Sequence, residues 1–208
     1  MKKNTIIIGA GGHSRVVVSI IKEKKGCEVE IFDLNNLGKL EMILGIQVRY
    51  TIKELNEYVE NKKIEAYLAI GDNKIRKLWW EKIKKNRYTT PNLISKYAKV
   101  SEYAEIGEGN IICSNAFIGP ECKIGSNNII NTGATIEHEV SIGSHCHISS
   151  NSTVAGRCII GDENFLGANS TVIEGITIAP KNILGAGGVL VRNINSINKI
   201  YKGIPAKE

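Results

Sequence analysis

Residues 118–130 read IGPECKIGSNNII: an aliphatic residue, a glycine, four further residues, and then the same opening again. Outward in steps of six, every position from Ile94 to Leu190 is Ile, Val or Leu. The beat runs through Val100, Ile106 and Ile112 on one side and Ile136, Ile142, Ile148 and Val154 on the other. A period of six fits neither a 3.6-residue helix nor the alternation of an isolated strand. It asks for a short strand and a turn repeated as one unit, so this half of the chain is expected to be a solenoid.

Four residues after the aliphatic position stands, in most hexads, a small residue or Asn, with Val140 and Ile176 as exceptions, and a bulky and a small residue per hexad can fill a narrow three-sided prism. Three hexads then close one coil of eighteen residues, and residues eighteen apart should match in kind. Asn92, Asn110, Asn128, Cys146, Asn164 and Asn182 form one such column, and Ala98, Ala116, Ala134, Ser152, Ser170 and Gly188 another. Each column is nearly uniform within itself, as stacked coils require. Glycine directly follows the aliphatic residue at Gly107, Gly119, Gly125, Gly143, Gly161, Gly167 and Gly185, which implies turns that disfavour a Cβ or crowding between coils. At the ordinary strand spacing, a little over five coils give a prism roughly 25 Å long.

The 208 residues leave room for two modest domains or one large one. No run of eighteen apolar residues occurs, and Met1-Lys2-Lys3 leads straight into a buried-type strand, so a soluble cytoplasmic protein without membrane insertion is expected. Cys27, Cys113, Cys122, Cys146 and Cys158 show no CxxC spacing and read as buried thiols of a reducing compartment. The formal charge of +6 is uneven. Residues 1–90 hold eighteen Lys and Arg against eleven acids, and the remainder is near neutral. Such a field favours an anionic small molecule; no aromatic-interleaved basic motif points to nucleic acid.

The first ninety residues begin with the strand Thr5–Ile8 and the loop Gly9-Ala10-Gly11-Gly12-His13-Ser14-Arg15. A helix over Val16–Lys24 and a second strand, Val29–Asp33, follow. This is a β-loop-α-β unit closed by an acidic residue, although Ser14 stands where a GxGxxG fingerprint has its last glycine. A glycine-rich loop at a helix start offers amides to a phosphate or pyrophosphate. The third strand, Ala66–Ile70, runs into Gly71-Asp72-Asn73 and a helix over Lys74–Lys85. Three strands are too few for a complete NAD-binding fold, so a nucleotide-linked substrate is expected rather than a nicotinamide cofactor.

Taken together, the opening IIIGAGGHSR, the segment AIGDNKIRK, the hexads with IEHE, and the ending GIPAK resemble the hexapeptide-repeat sugar acetyltransferases. That group includes sialic acid O-acetyltransferases and N-acetyltransferases of UDP-4-amino sugars. The resemblance covers essentially the whole chain. It implies a small Rossmann-like nucleotide-sugar-binding domain over residues 1–90 and a left-handed parallel β-helix with a C-terminal cap over residues 91–208. On the same pattern Gly9, Gly11, Gly12 and His13 receive the diphosphate side, and Asp33 touches the uracil or ribose. Relatives that bind UDP-sugars often carry two acids where this chain has Asp33-Leu34.

Of the four histidines, His138, His145 and His147 fall within ten residues but at the third, fourth and sixth hexad positions, so no tetrahedral metal shell is expected. His138, at an outward position beside Glu139, can take up a proton near neutral pH while the carboxylate fixes its tautomer. The resemblance makes His138 the general base and places His147 against the thioester of acetyl-CoA; His145 is left as a solvated turn residue. It further implies a homotrimer with intersubunit active sites. The pantetheine arm would run along coils kept slim by Gly156, Gly167 and Gly185, and Lys202 would contact CoA phosphates. The expected reaction is direct attack of a sugar amine on acetyl-CoA, in bacterial glycan synthesis. O-acetylation of sialic acid and a noncatalytic scaffold or metabolite sensor are the alternatives.

Overall fold

The computed structural model describes residues 4–23, 28–33, 41–49, 55, 64–86 and 88–208. The Met1-Lys2-Lys3 start, Lys24, Cys27 and Leu34, which figured in the sequence expectations, lie outside these. The chain divides into two compact units, Met1–Leu93 and Ile94–Glu208. Among the described residues no helix is long and apolar enough to cross a membrane.

The first unit is a five-stranded sheet of β1 (Asn4–Ile8), β2 (Glu28–Phe32), β3 (Met42–Ile43), β4 (Ile46–Arg49) and β5 (Ile64–Leu68), in the order β3-β4-β2-β1-β5. Strand β1 lies between β2 and β5, parallel to both, and Ile6, Ile7 and Ile8 are buried as befits a strand covered on both faces. The expected three strands become five. The addition is an antiparallel hairpin, β3–β4, closed through Leu44 and Gly45 at φ 49° and 83°. Positive φ at both central residues is the twist-compatible hairpin geometry, but Leu-Gly lacks the Asn-Gly or Asp-Gly signature that announces it. The third strand also sits earlier than Ala66–Ile70, so Ala69 and Ile70 fall in the loop beyond it. Helix α1 spans Gly12–Lys22 and α2 spans Asn73–Lys85. The first begins four residues before Val16 because the glycine-rich loop itself supplies the opening turn.

The second unit is a parallel β-solenoid. Two-residue strands, each made of the sixth residue of one hexad and the first of the next, stack at intervals of eighteen into sheets of six, five and seven strands, the last of which is completed by Ile200–Tyr201 beyond the hexads, seventeen residues after its partner. Thr135–Ile136, for example, pairs with Phe117–Ile118 and with Thr153–Val154. The first-position aliphatics from Ile112 onward point inward and are buried, with Ala116, Cys122, Ala134, Cys146 and Cys158 filling the small column. Fourteen successive hexads, from Gly109 to Gly187, place their fourth residue at positive φ. Only Gly109, Gly133, Gly175 and Gly187 are glycines there; the rest include Asn115, Glu139, His145 and Arg157. The glycines after the aliphatic residue serve a different purpose, since a Cβ at Gly125 would stand 2.7 Å from the carbonyl of Gly143 in the next coil. Crowding between coils, not turn geometry, demands them.

The asparagine column is a hydrogen-bonded ladder. Asn110 accepts from the Asn128 amide at 2.8 Å, Asn128 from the Cys146 amide at 2.6 Å, Asn164 from the Asn182 amide at 2.8 Å, and Asn182 from the Lys199 amide at 2.9 Å. Each side-chain amide also donates to a turn carbonyl, as Asn128 does to Gly143 at 2.9 Å. The corners thus meet their buried polar groups from within. At the far end Ile200–Tyr201 pairs with Ile183–Leu184, and Tyr201 and Ala206 join the core.

Candidate active site

In the α/β unit the strand order reverses at β1, and residues at and just beyond the carboxyl ends of the strands line a cavity of about 240 Å³ there. Such a switch point is where open α/β sheets bind ligands. Gly9 has φ 107°, and a Cβ there would lie 2.9 Å from the Ala69 carbonyl, so only glycine fits between β1 and the loop after β5. By contrast a Cβ at Gly11 or Gly12 would meet open space. Gly11 caps α1 without a side-chain hydrogen bond, leaving the helix start open to an anion. Ser14, in place of the fingerprint glycine, is fully buried, and its hydroxyl donates to the Gly11 carbonyl at 2.5 Å, tightening the same turn. Asp33 lines the cavity and accepts from the Ala10 amide at 3.1 Å, so its carboxylate also braces the loop.

Three residues of this unit escaped the sequence reading. Ile75 and Trp79 of α2 form an apolar wall of the cavity. Arg76, between them in sequence, is buried, and its guanidinium donates to the carbonyls of Ile70 and Gly71 at 3.1 and 3.2 Å and to the Asn73 side chain at 2.8 Å. Asp72 caps the helix by accepting from the Ile75 amide at 2.8 Å. The GDNKIRK segment is therefore the braced edge of the cavity. Its sequence signal was Asp72 followed by a helix whose Arg occupies the inward position.

On the solenoid His138 and Glu139 stand at the corner between the six-stranded and five-stranded sheets. His138 Nδ1 and Glu139 Oε2 are 2.9 Å apart, with each side chain a little under half exposed. A carboxylate accepts from Nδ1–H, which leaves the Nε2 lone pair of the neutral ring available to a proton. The left-handed conformation of Glu139, φ 59°, is the regular corner conformation and no local anomaly. Eighteen residues on, Gly156 lies under the ring: a Cβ there would be 2.5 Å from Cε1 and 2.7 Å from Nε2 of His138. The bare Cα of Gly156 thus faces the imidazole. Beyond it Arg157 pairs with Glu174.

His147 lies elsewhere. Its strand, His147–Ile148, belongs to the seven-stranded sheet, the face opposite the His138 corner. It is buried, edge-on to Phe165 at 5.1 Å, and Nε2 is 3.2 Å from the Asn131 side-chain nitrogen. The Asn131 oxygen already accepts from the Thr132 amide at 2.8 Å, so the nitrogen must donate and His147 carries its proton on Nδ1. Gly167 and Gly185 stack at the edge of this same face. A Cβ at Gly167 would stand 2.5 Å from the Ala186 amide nitrogen, and one at Gly185 3.2 Å from Lys202 Cγ. The residues named from the sequence therefore form two groups on opposite sides of one prism: His138, Glu139 and Gly156 at a corner, and His147, Gly167, Gly185 and Lys202 on and beside the far face. His145, expected to be solvated, is bonded through Nδ1 to the Asn127 side chain at 2.7 Å. Cys113, Cys122, Cys146 and Cys158 are buried, and burial pushes the Cys113 thiol up to about 12, which disqualifies it as a nucleophile. Among the described residues no three His, Cys, Asp or Glu side chains converge as metal ligands.

These features have counterparts in known proteins. Residues 4–83 match the family described as PglD N-terminal domain, and residues 121–156 match bacterial transferase hexapeptide (six repeats). Among solved structures the chain is 34% identical to PerB from Caulobacter crescentus in complex with CoA and GDP-perosamine, over 98% of this chain and 96% of that one, with a TM-score of 0.88. A histidine-to-alanine variant of the GDP-perosamine N-acetyltransferase of that organism, also in complex with CoA and GDP-perosamine, gives 33% identity, coverage of 98% and 95%, and a TM-score of 0.91. The acetyltransferase domain of PglB from Neisseria gonorrhoeae in complex with acetyl coenzyme A is 28% identical, covers 100% and 99%, and superposes with a TM-score of 0.90. None of the curated proteins matches. The chain belongs to the hexapeptide-repeat sugar acetyltransferases.

Proposed function

We propose that the protein transfers the acetyl group of acetyl-CoA to the amine of a nucleotide-linked 4-amino sugar. The observation that carries this reading is the His138–Glu139 pair, held at an outward corner of the solenoid with Nδ1 on the carboxylate and Nε2 left as the proton acceptor. The neutral amine attacks the thioester carbonyl, Nε2 of His138 takes the proton released from nitrogen, and the tetrahedral intermediate collapses with departure of CoA thiolate, which regains a proton. No serine or cysteine in the described corner offers a covalent route, and the raised thiols of Cys113, Cys122 and Cys158 speak against one.

In the α/β unit, Gly9, Gly11, Gly12 and His13 are assigned to the diphosphate, and Asp33 with the Trp79 wall to the nucleoside. The base is uridine on the sequence resemblance, whereas the Caulobacter relatives hold a guanosine nucleotide. Because His147 lies across the prism from His138, one site that uses both needs two chains, which supports a homotrimer with intersubunit sites. His147 would then lie against the thioester, with Gly167, Gly185 and Lys202 along the CoA arm. Acetyl-CoA is a cytoplasmic metabolite, and the proposal places the enzyme there.

The test is acetyl transfer by wild type and His138→Ala against UDP- and GDP-linked 4-amino sugars, with free and CMP-linked sialic acids as competing acceptors. The variant should lose about 10²–10⁴ in turnover while still binding acetyl-CoA. Undiminished turnover would reject the base, and acetylation of sialic acid alone would reject the acceptor.

A further inference from the structure

We infer that Gly156 is a positioning residue of this site: its missing side chain is the seat of the His138 imidazole. The inference rests on the reading of His138 as the base. Third-position residues of successive coils stack in the column Pro120, His138, Gly156 and Glu174. Coils approach to about 4.8 Å, too close for an imidazole to lie flat over a neighbour that carries a Cβ. At Gly156 that Cβ would stand 2.5, 2.7 and 3.1 Å from Cε1, Nε2 and Nδ1 of His138, and no other atom comes as near to it.

The backbone around the ring cannot absorb such a clash. The His138 carbonyl accepts from the Arg157 amide at 3.0 Å, and the Glu139 amide donates to the Pro120 carbonyl at 3.0 Å. From the other side Gly119 is already so close that a Cβ on it would be 2.9 Å from the His138 nitrogen. Alanine at 156 therefore moves the ring alone. The imidazole swings off the coil, its Nδ1 leaves Glu139, and Nε2 no longer points where the incoming amine requires it.

This separates Gly156 from the other glycines of the solenoid. At Gly125 a Cβ would meet the backbone of Gly143 at 2.7 Å, so alanine there strains the fold. At Gly156 the obstacle is the end of a side chain that can rotate away, and the fold tolerates it. Gly156 also has ordinary backbone geometry, since it is not among the residues at positive φ.

The experiment compares wild type, Gly156→Ala, His138→Ala and the double variant for turnover, KM of both substrates and thermal midpoint. The histidine ring signals are followed by NMR as a function of pH on protein with labelled histidine. Gly156→Ala should melt with the wild type and lose about 10- to 100-fold in kcat, the effect of displacing a reacting group by about an ångström, with both KM values little changed. The His138 ring signals should move while those of His145 and His147 stay. In the His138→Ala background the glycine substitution should cost nothing more. Wild-type kcat and an unmoved His138 signal in Gly156→Ala, with His138→Ala inactive, would overturn the seat alone. An equal loss in both backgrounds would also overturn it, by placing the effect outside His138. Full turnover by His138→Ala would instead overturn the assignment of the base.

Discussion

Replacing Asn128 by alanine tests whether the solenoid depends on its internal ladder. The side chain is buried, accepts from the Cys146 amide at 2.6 Å and donates to the Gly143 carbonyl at 2.9 Å. Alanine removes both partners at once and admits no replacement from the packed coils. Each buried group left unmet costs about 1–3 kcal/mol, so the pair costs about 2–6 kcal/mol. For a chain of this length that lowers the thermal midpoint by about 5–20 °C. The column also contains its own control. Cys146 occupies the equivalent place one coil later and its Sγ donates to the Gly161 carbonyl at 3.1 Å. Asn128→Cys should therefore keep the bond to Gly143 and lose only the acceptor for the Cys146 amide, at roughly half the cost of alanine. Circular dichroism melts of the three proteins at one fixed concentration measure the differences. A melt of Asn128→Ala that coincides with wild type, or an Asn128→Cys protein as weakened as the alanine variant, would refute the reasoning.

Asp33→Ala should raise KM for the nucleotide sugar while leaving that for acetyl-CoA in place, measured by varying each substrate at saturation of the other; equal effects on both would undo the assignment of the α/β cavity. The Cys113 thiol, raised by burial from 9.0 to about 12, keeps its proton in the folded protein at a pH where the unfolded chain has released it. Its contribution is therefore complete below pH 9 and is lost as pH climbs from there towards 12. Urea midpoints on either side of pH 9 should fall more steeply for wild type than for Cys113→Ala, and parallel slopes would contradict it.

The solenoid was legible because its period is a packing rule: one inward branched residue and one small corner residue per hexad, repeated too often to be accidental. The eighteen-residue columns were likewise legible, since Asn110, Asn128, Asn164 and Asn182 match only when coils stack, whereas the hydrogen bonds that join them were not read from the sequence. What stayed hidden is set by backbone geometry or by partners distant in sequence. The fourth-position residues share positive φ yet range from Gly133 to Glu163 and Lys181, because each corner is enforced by the coils above and below it. The β3–β4 hairpin turns on Leu44-Gly45, which no turn signature marks. Arg76 reads as one more surface cation on a basic helix until its carbonyl partners are seen. His138 and Glu139 were legible as a pair. That His147 lies across the prism from them follows only once each hexad is assigned to a face.

Three hexads per circuit give this chain a frame in which length itself carries information. Deleting six residues between His138 and Gly156 would rotate everything downstream by one face and stack Asp162, not Gly156, beneath the imidazole. Deleting eighteen beyond Glu174 would merely shorten the rod, every survivor still resting on a residue of its own column. Insertions and losses in relatives of this protein should accordingly come in whole circuits, or as excursions at the corners that leave the frame untouched.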